Sequence, residues 1–114
     1  MTALAQCIKE AQADIAASGL QAPIVGHVGD GNFHAIFLVD INDDEEMKRA
    51  KDCNDRIVQR ALAMGGTCTG EHGIGVGKID FLVSEHGEAV SLMRSIKKAM
   101  DPDNIMNPGK VLRV

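Results

Sequence analysis

The sequence predicts an α+β fold, with helices packed on one antiparallel hairpin and an irregular C-terminal tail. Three observations carry this. Apolar residues recur at three-and-four spacing on both sides of the chain's centre, two β-branched and aromatic runs flank a Gly-Asp-Gly-Asn turn signal, and strands do not alternate with helices as a parallel sheet requires. At 114 residues and 45% hydrophobic content, residues 1–114 are expected to form a single domain with one modest core.

Residues 3 to 18 put Leu4, Cys7, Ile8, Ala11 and Ile15 on one helical face, and Gly19 follows as a natural stop. From Pro23 to Asp40 the pattern changes to two strand-like runs, Ile24 to Val28 and Phe33 to Val39. Asp-Gly favours a two-residue type I′ turn, so Asp30-Gly31 sets an expected register in which Val28 faces Phe33 and His27 faces His34. Asn42 to Glu46 supplies an N-cap with a glutamate three positions on. Met47, Ala50, Ile57, Ala61 and Met64 then continue one apolar face until Gly65-Gly66. Six glycines in the thirteen residues from Gly65 to Gly77 predict a loop, with a short strand at Thr67 to Thr69. A short helix is expected at 78–84 and a longer one at 86–100, with Ala89, Val90, Met93, Ile96 and Met100 inward and Asp101-Pro102 as the stop. His86 reads as a surface residue at that helix's start, without a role. The tail from Asp103 is irregular, with a final short strand at Val111 to Val114.

Composition removes several classes of function. Sixteen acidic residues against twelve basic ones, with no basic cluster, argue against nucleic acid or an anionic membrane as partner. The absence of Trp and Tyr removes base-stacking platforms as well. No apolar run approaches the roughly 18 residues of a transmembrane segment. Cys7, Cys53 and Cys68 are odd in number and widely spaced, which fits neither a disulfide framework nor a thiolate zinc site. They read as reduced thiols of a cytoplasmic protein.

Two groups of residues have the chemistry of a site. In the expected register His27 and His34 stand opposite each other with Cβ atoms about 4.5–5.5 Å apart, near enough for both imidazoles to reach one divalent ion at about 2.0–2.1 Å. The alternative is two ordinary strand histidines, exposed or satisfied by backbone carbonyls. Their neighbours are Ile24, Val25, Val28, Phe33, Ile36, Phe37 and Leu38, so polar side chains there need partners.

The second group lies in Gly70-Glu71-His72-Gly73-Ile74-Gly75-Val76-Gly77-Lys78. A phosphate loop of the Walker type needs a glycine where His72 stands and Ser or Thr where Ile79 stands, and the dinucleotide pattern needs G-x-G-x-x-G; neither is met. What remains is an adjacent carboxylate and imidazole, a third hard ligand in Glu71 and a general base in His72, expected to point to different sides. The bland reading is a solvated loop whose glycines only make turns.

Three segments together resemble one family: G-H-V-G-D-G-N-F-H at 26–34, G-E-H-G-I-G-V-G-K at 70–78 and D-P-D-N-I-M-N-P-G-K at 101–110. They are similar to the C-terminal domain of FAD-linked oxidases of the vanillyl-alcohol-oxidase type, in the D-lactate dehydrogenase, D-2-hydroxyglutarate dehydrogenase and glycolate-oxidase flavin-subunit branch. The resemblance implies a metal site of His27, His34 and Glu71 for Zn, Mn or Fe, and His72 as the base that takes the substrate hydroxyl proton. It also implies Asn32 in the substrate pocket, Asn107 close to FAD, and an antiparallel sheet forming the ferredoxin-like half of a cap domain. The substrate class it implies is a small D-2-hydroxy acid, oxidised to the 2-oxo acid.

The family's FAD-binding domain, and the basic residues that hold the substrate carboxylate, lie upstream of anything in this sequence. The expectation is therefore a piece of a longer enzyme, or a short reading frame from Met1, that needs an FAD-binding domain upstream or in a separate chain. The rivals are a freestanding metal-binding module without catalysis of its own and a structural subunit completing a flavoprotein.

Overall fold

In the computed structural model, which describes residues 3–114, the chain is α+β: four helices and a two-stranded antiparallel sheet. It divides into two compact units, Met1–Gly66 and Thr67–Val114.

The first unit runs α1 (Leu4–Ser18), β1 (Ile24–Val25), β2 (His34–Ala35) and α2 (Asp44–Ala63). Gly19 ends α1 in the left-handed conformation at φ 71°, its N–H donating to the Ala16 carbonyl, as the sequence predicts. Asp43 caps α2 by accepting from the Glu45 and Glu46 amides. Ala11 and Ile15 of α1 pack against Cys53 and Ile57 of α2, and both Ala11 and Cys53 are fully buried. Small side chains at that contact let the helices approach closely. Arg60 of α2 ties the pair from the side through Asp14 and, at 2.8 Å, through Glu10 of α1.

The hairpin lays Ala22, Ile24, Phe33, Ala35 and Phe37 on this core. Residues of the opposite parity, Val25, Ile36 and Leu38, are 47–55% exposed on its outer face.

Its register differs from the expected one. Ile24 pairs with Ala35 and Val25 with His34, and an isolated bridge joins Gln21 to Leu38, so His34 faces Val25 and not His27. The cause is the turn. Val28–Asp30 make one turn of 3-10 helix and Gly31 follows at φ 82°, so four residues, not two, connect the arms. The Asn32 amide closes the loop by donating to the His27 carbonyl at 3.3 Å. Because the shift is by two positions, residues 25 and 27 keep the same parity relative to His34. His27 itself lies outside the strand, at φ −99° and ψ 74°.

The second unit holds α3 (Ile79–His86) and α4 (Ala89–Met100), joined through Gly87 at φ 52°, and then the irregular tail. Leu82, Val90 and Leu112 form its core, with Ile74 and Met93 packed against them. Four sequence expectations fail here. Thr67 to Thr69 is not a strand, because the Cys68 amide donates to the Glu85 carboxylate at 2.8 Å. Val111 to Val114 is not one either: Val111 has φ 67° and the Leu112 amide donates to the Lys110 carbonyl at 2.7 Å, a γ-turn incompatible with a strand. His86 ends α3, and only part of the α4 stripe is inward: Val90 is buried whereas Ile96 and Met100 are 56% and 77% exposed.

The hairpin arms touch most closely at Gly26, where a Cβ would lie 2.5 Å from the Phe33 Cα and 2.6 Å from the Asn32 carbonyl oxygen. Backbone cannot move aside as a side chain can. Gly26→Ala is expected to destabilise the fold by about 2 kcal/mol or more in urea denaturation. Gly29→Ala should stay within about 0.5 kcal/mol, since a Cβ there meets nothing within 4 Å.

Candidate functional site

In the first unit, His27, Asn32 and His34 all come from the hairpin. The side chain of Asn32 is built into the turn: its Oδ1 accepts from the His27 amide at 3.1 Å while its own amide donates back to the His27 carbonyl. Asn32 thus fixes the backbone from which His27 projects, which leaves its Nδ2 hydrogens as the donors it can offer a ligand. His34 sits half-buried at the start of β2, on the hairpin's outer face among Val25, Ile36 and Leu38. His27 is exposed.

In the second unit, Glu71 and His72 ride on the glycine-rich loop. A loop without ladder hydrogen bonds must find partners elsewhere, and this one is fastened along its length. At its start, Glu85 of α3 accepts from the Cys68 amide and, at 3.1 Å, from the Thr67 hydroxyl. Across its middle, the Thr69 hydroxyl donates to the Gly73 carbonyl at 3.0 Å, bracketing Glu71-His72. Toward its end, the Gly75 carbonyl accepts from the Val111 amide of the tail at 2.7 Å. Gly73 and Gly75 supply the left-handed residues at φ 75° and 54°.

Glu71 and His72 do not point to different sides. Oε1 of Glu71 lies 3.4 Å from Nε2 of His72, and both side chains are exposed. The loop therefore presents a carboxylate–imidazole pair side by side, a donor set suited to a first-row divalent cation or to proton transfer.

The same anchoring carboxylate sets the local electrostatics. Burial pushes the Cys68 thiol up to about 11, with the Glu85 hydrogen bond and charge adding to it, so this cysteine stays a neutral thiol. For Glu85, partial burial opposes ionisation, but hydrogen bonds from the Cys68 amide, the Cys68 side chain and the Thr67 hydroxyl outweigh it and hold the carboxyl below its ordinary range. All three cysteines are free and buried.

Asn107 lies in the tail, exposed, in the left-handed conformation at φ 49°, where its carbonyl accepts from the Lys110 amide at 3.2 Å. Upstream of it, Asp101 is 6% exposed and accepts from the Ile105 and Met106 amides at 3.0 and 2.9 Å and from Lys97. Glu85 and Asp101 are the supports that sequence reading misses. Each acts from another element or turn, and no spacing rule marks a carboxylate whose partners are backbone amides. For Asp101 a signal existed, since an Asp before Pro at a helix end commonly bonds to the amides that follow.

The family model for the C-terminal domain of FAD linked oxidases matches residues 1–111. The chain belongs to that family. A probable mitochondrial D-lactate dehydrogenase of Danio rerio is 50% identical over 112 residues, which are 97% of this chain and 22% of that protein. A mitochondrial D-lactate dehydrogenase [cytochrome] 1 of Saccharomyces cerevisiae is 51% identical over 107 residues, 93% of this chain and 18% of that protein. The glycolate oxidase subunit GlcD of Bacillus subtilis is 42% identical over 87 residues, 75% of this chain and 18% of that protein. The chain thus spans about a fifth of the length of these relatives. As an FAD-linked oxidase C-terminal domain it carries all three motifs, on the hairpin, the glycine-rich loop and the tail.

Glu85→Gln keeps an acceptor for the Cys68 amide but removes the charge, so at neutral pH it should cost about 1 kcal/mol, the difference between charged and neutral hydrogen bonds. A carboxylate with a depressed pKa stabilises the fold above its ordinary value of 4.5 and loses that contribution as pH falls through the folded value. Thermal melts from pH 7 to pH 3 should therefore fall more steeply for the wild type than for Glu85→Gln.

Proposed function

We propose that this chain forms the C-terminal domain of an FAD-dependent dehydrogenase that oxidises a D-2-hydroxy acid of the lactate, glycolate or 2-hydroxyglutarate type to the 2-oxo acid. The observation that carries the reading is the family match across residues 1–111, with relatives named D-lactate dehydrogenase and glycolate oxidase subunit.

In this reading His27, His34 and Glu71 hold a divalent cation. The donor set fits: two imidazoles and one carboxylate suit Zn²⁺, Mn²⁺ or Fe²⁺, and His27 and Glu71 are both open to solvent. Such an ion would supply Lewis acidity toward a substrate hydroxyl. His72 takes the proton from that hydroxyl as general base. FAD, which would be held mainly by residues outside this chain, would supply the hydride-accepting chemistry. Asn32 orients the substrate through its Nδ2 donors, and Asn107 borders the flavin.

The two neighbours on the glycine-rich loop have separable roles, which gives the test. In the full-length flavoprotein, His72→Ala should lower turnover by roughly 10²–10⁴-fold, the usual worth of a positioned base, with metal content retained. Glu71→Ala should weaken metal binding, and excess metal should restore part of its activity because two imidazoles remain. Metal analysis that finds His72→Ala depleted and Glu71→Ala replete would exchange the two roles.

The 114-residue chain alone should purify without the yellow absorbance of a flavin and without 2-hydroxy-acid oxidation. FAD retained at one equivalent through gel filtration would contradict this.

A further inference from the structure

Neighbouring residues on extended backbone project to opposite sides, yet Glu71 and His72 share one, with Oε1 of the carboxylate 3.4 Å from Nε2 of the imidazole. Such a pairing needs a bent backbone, and the chain bends at both residues. Glycines on either side permit the bend without preferring it. Gly70 and Gly73 enclose the pair, Gly73 at φ 75°, and glycine reaches many conformations at similar energy. Something else must select this one.

The contacts that fasten the loop differ in what they can select. Glu85 holds the Thr67 hydroxyl and the Cys68 amide ahead of the pair, and the Val111 amide holds the Gly75 carbonyl behind it. In each case a glycine free to turn, Gly70 or Gly73, stands between the anchor and the pair, so neither anchor dictates how the pair faces. The Thr69 hydroxyl acts inside those anchors. It donates to the Gly73 carbonyl at 3.0 Å, closing a ring from Thr69 to Gly73 that takes in Glu71, His72 and the glycines on both sides. A β-branched side chain is stiff at χ1, so the ring restricts the backbone it spans.

We propose that Thr69 is a positioning residue: its hydroxyl turns Glu71 and His72 to one side and so sets the geometry in which one ligates metal and the other accepts a proton. The inference rests on the roles proposed above for those two residues. Thr69 acts only through the backbone of the pair. Its contribution to stability is small, because the bond lies in an exposed part of the loop, where water replaces a lost partner at little cost. Misplacing a reacting group by about 1 Å, in contrast, can cost about 10²-fold in rate.

The test compares two variants of the full-length flavoprotein. Thr69→Val keeps the shape of the side chain and removes the donor, whereas Thr69→Ser keeps the donor. Thr69→Val should weaken the binding of Mn²⁺, titrated into the metal-free protein, by about tenfold. At saturating Mn²⁺ it should lower kcat by roughly 10–100-fold with KM changed by less than about threefold. Its thermal midpoint should stay within about 2 °C of the wild type. Thr69→Ser should bring metal affinity and kcat back to within about threefold of the wild type. Thr69→Val with wild-type metal affinity and kcat would overturn the proposal. So would Thr69→Ser as impaired as Thr69→Val, or a Thr69→Val midpoint lowered enough to account for the lost activity. Where Glu71→Ala and His72→Ala are impaired but Thr69→Val is not, only the positioning role falls; where those two variants keep full activity, the proposed roles of the pair fall with it.

Discussion

A segment with six glycines in thirteen residues has no means of holding its own shape, since glycine gives up more conformational freedom on ordering than any other residue and brings no side chain to pack. Everything proposed for Glu71 and His72 depends on that freedom being removed from outside. The Glu85 carboxylate captures the Cys68 amide before the pair, the Thr69 hydroxyl spans it, and the Val111 amide takes the Gly75 carbonyl after it. The last contact has a cost. A β-branched residue at φ 67° is strained by about 1–3 kcal/mol. Leu112, buried beside it against Leu82 and Val90, offsets that strain. The order of dependence therefore runs from an apolar cluster, to a strained tail, to a glycine loop, to a carboxylate–imidazole pair.

The hairpin works on a different principle. Its face toward α1 and α2 is fixed by alternation, and that alternation is what puts His34 on the outer face. The turn is held by Asn32, whose side chain and amide both bond to His27. Gly26 permits the arms to meet at backbone distance. One motif thus combines residues that shape the turn with residues that carry imidazoles, which is why its glycines and asparagine matter as much as its histidines.

The α+β class, α1 with its Gly19 stop, and the span and capping of α2 were legible because each is a local signal: apolar periodicity, a glycine stop, an N-cap within Asn42 to Glu46 with a glutamate three positions on. The exchange of His27 for Val25 opposite His34 was not legible. Asp30-Gly31 fits both the centre of a two-residue turn and the end of a four-residue one, and the choice is made by the 3-10 turn at Val28–Asp30. The strands expected at Thr67 and Val111 failed for a related reason: their amides are claimed by a distant carboxylate and a distant carbonyl. The apolar period of α4 was correct as a period, but periodicity does not say which part of an apolar face meets the core of its unit. The site residues were legible as chemistry, since histidines, a glutamate and glycines stand out in sequence, whereas Glu85 was hidden because its partners, the Cys68 amide and the Thr67 hydroxyl, lie in a distant segment.

Flavin-dependent oxidation of a D-2-hydroxy acid, the function proposed for this domain, can be observed by anaerobic stopped-flow absorbance of the full-length protein. Mixing with D-lactate, glycolate or D-2-hydroxyglutarate should bleach the oxidised flavin band in a single turnover for at least one of them, while L-lactate leaves it unchanged. A flavin that none of these acids reduces, or that L-lactate reduces as fast as D-lactate, would overturn that function.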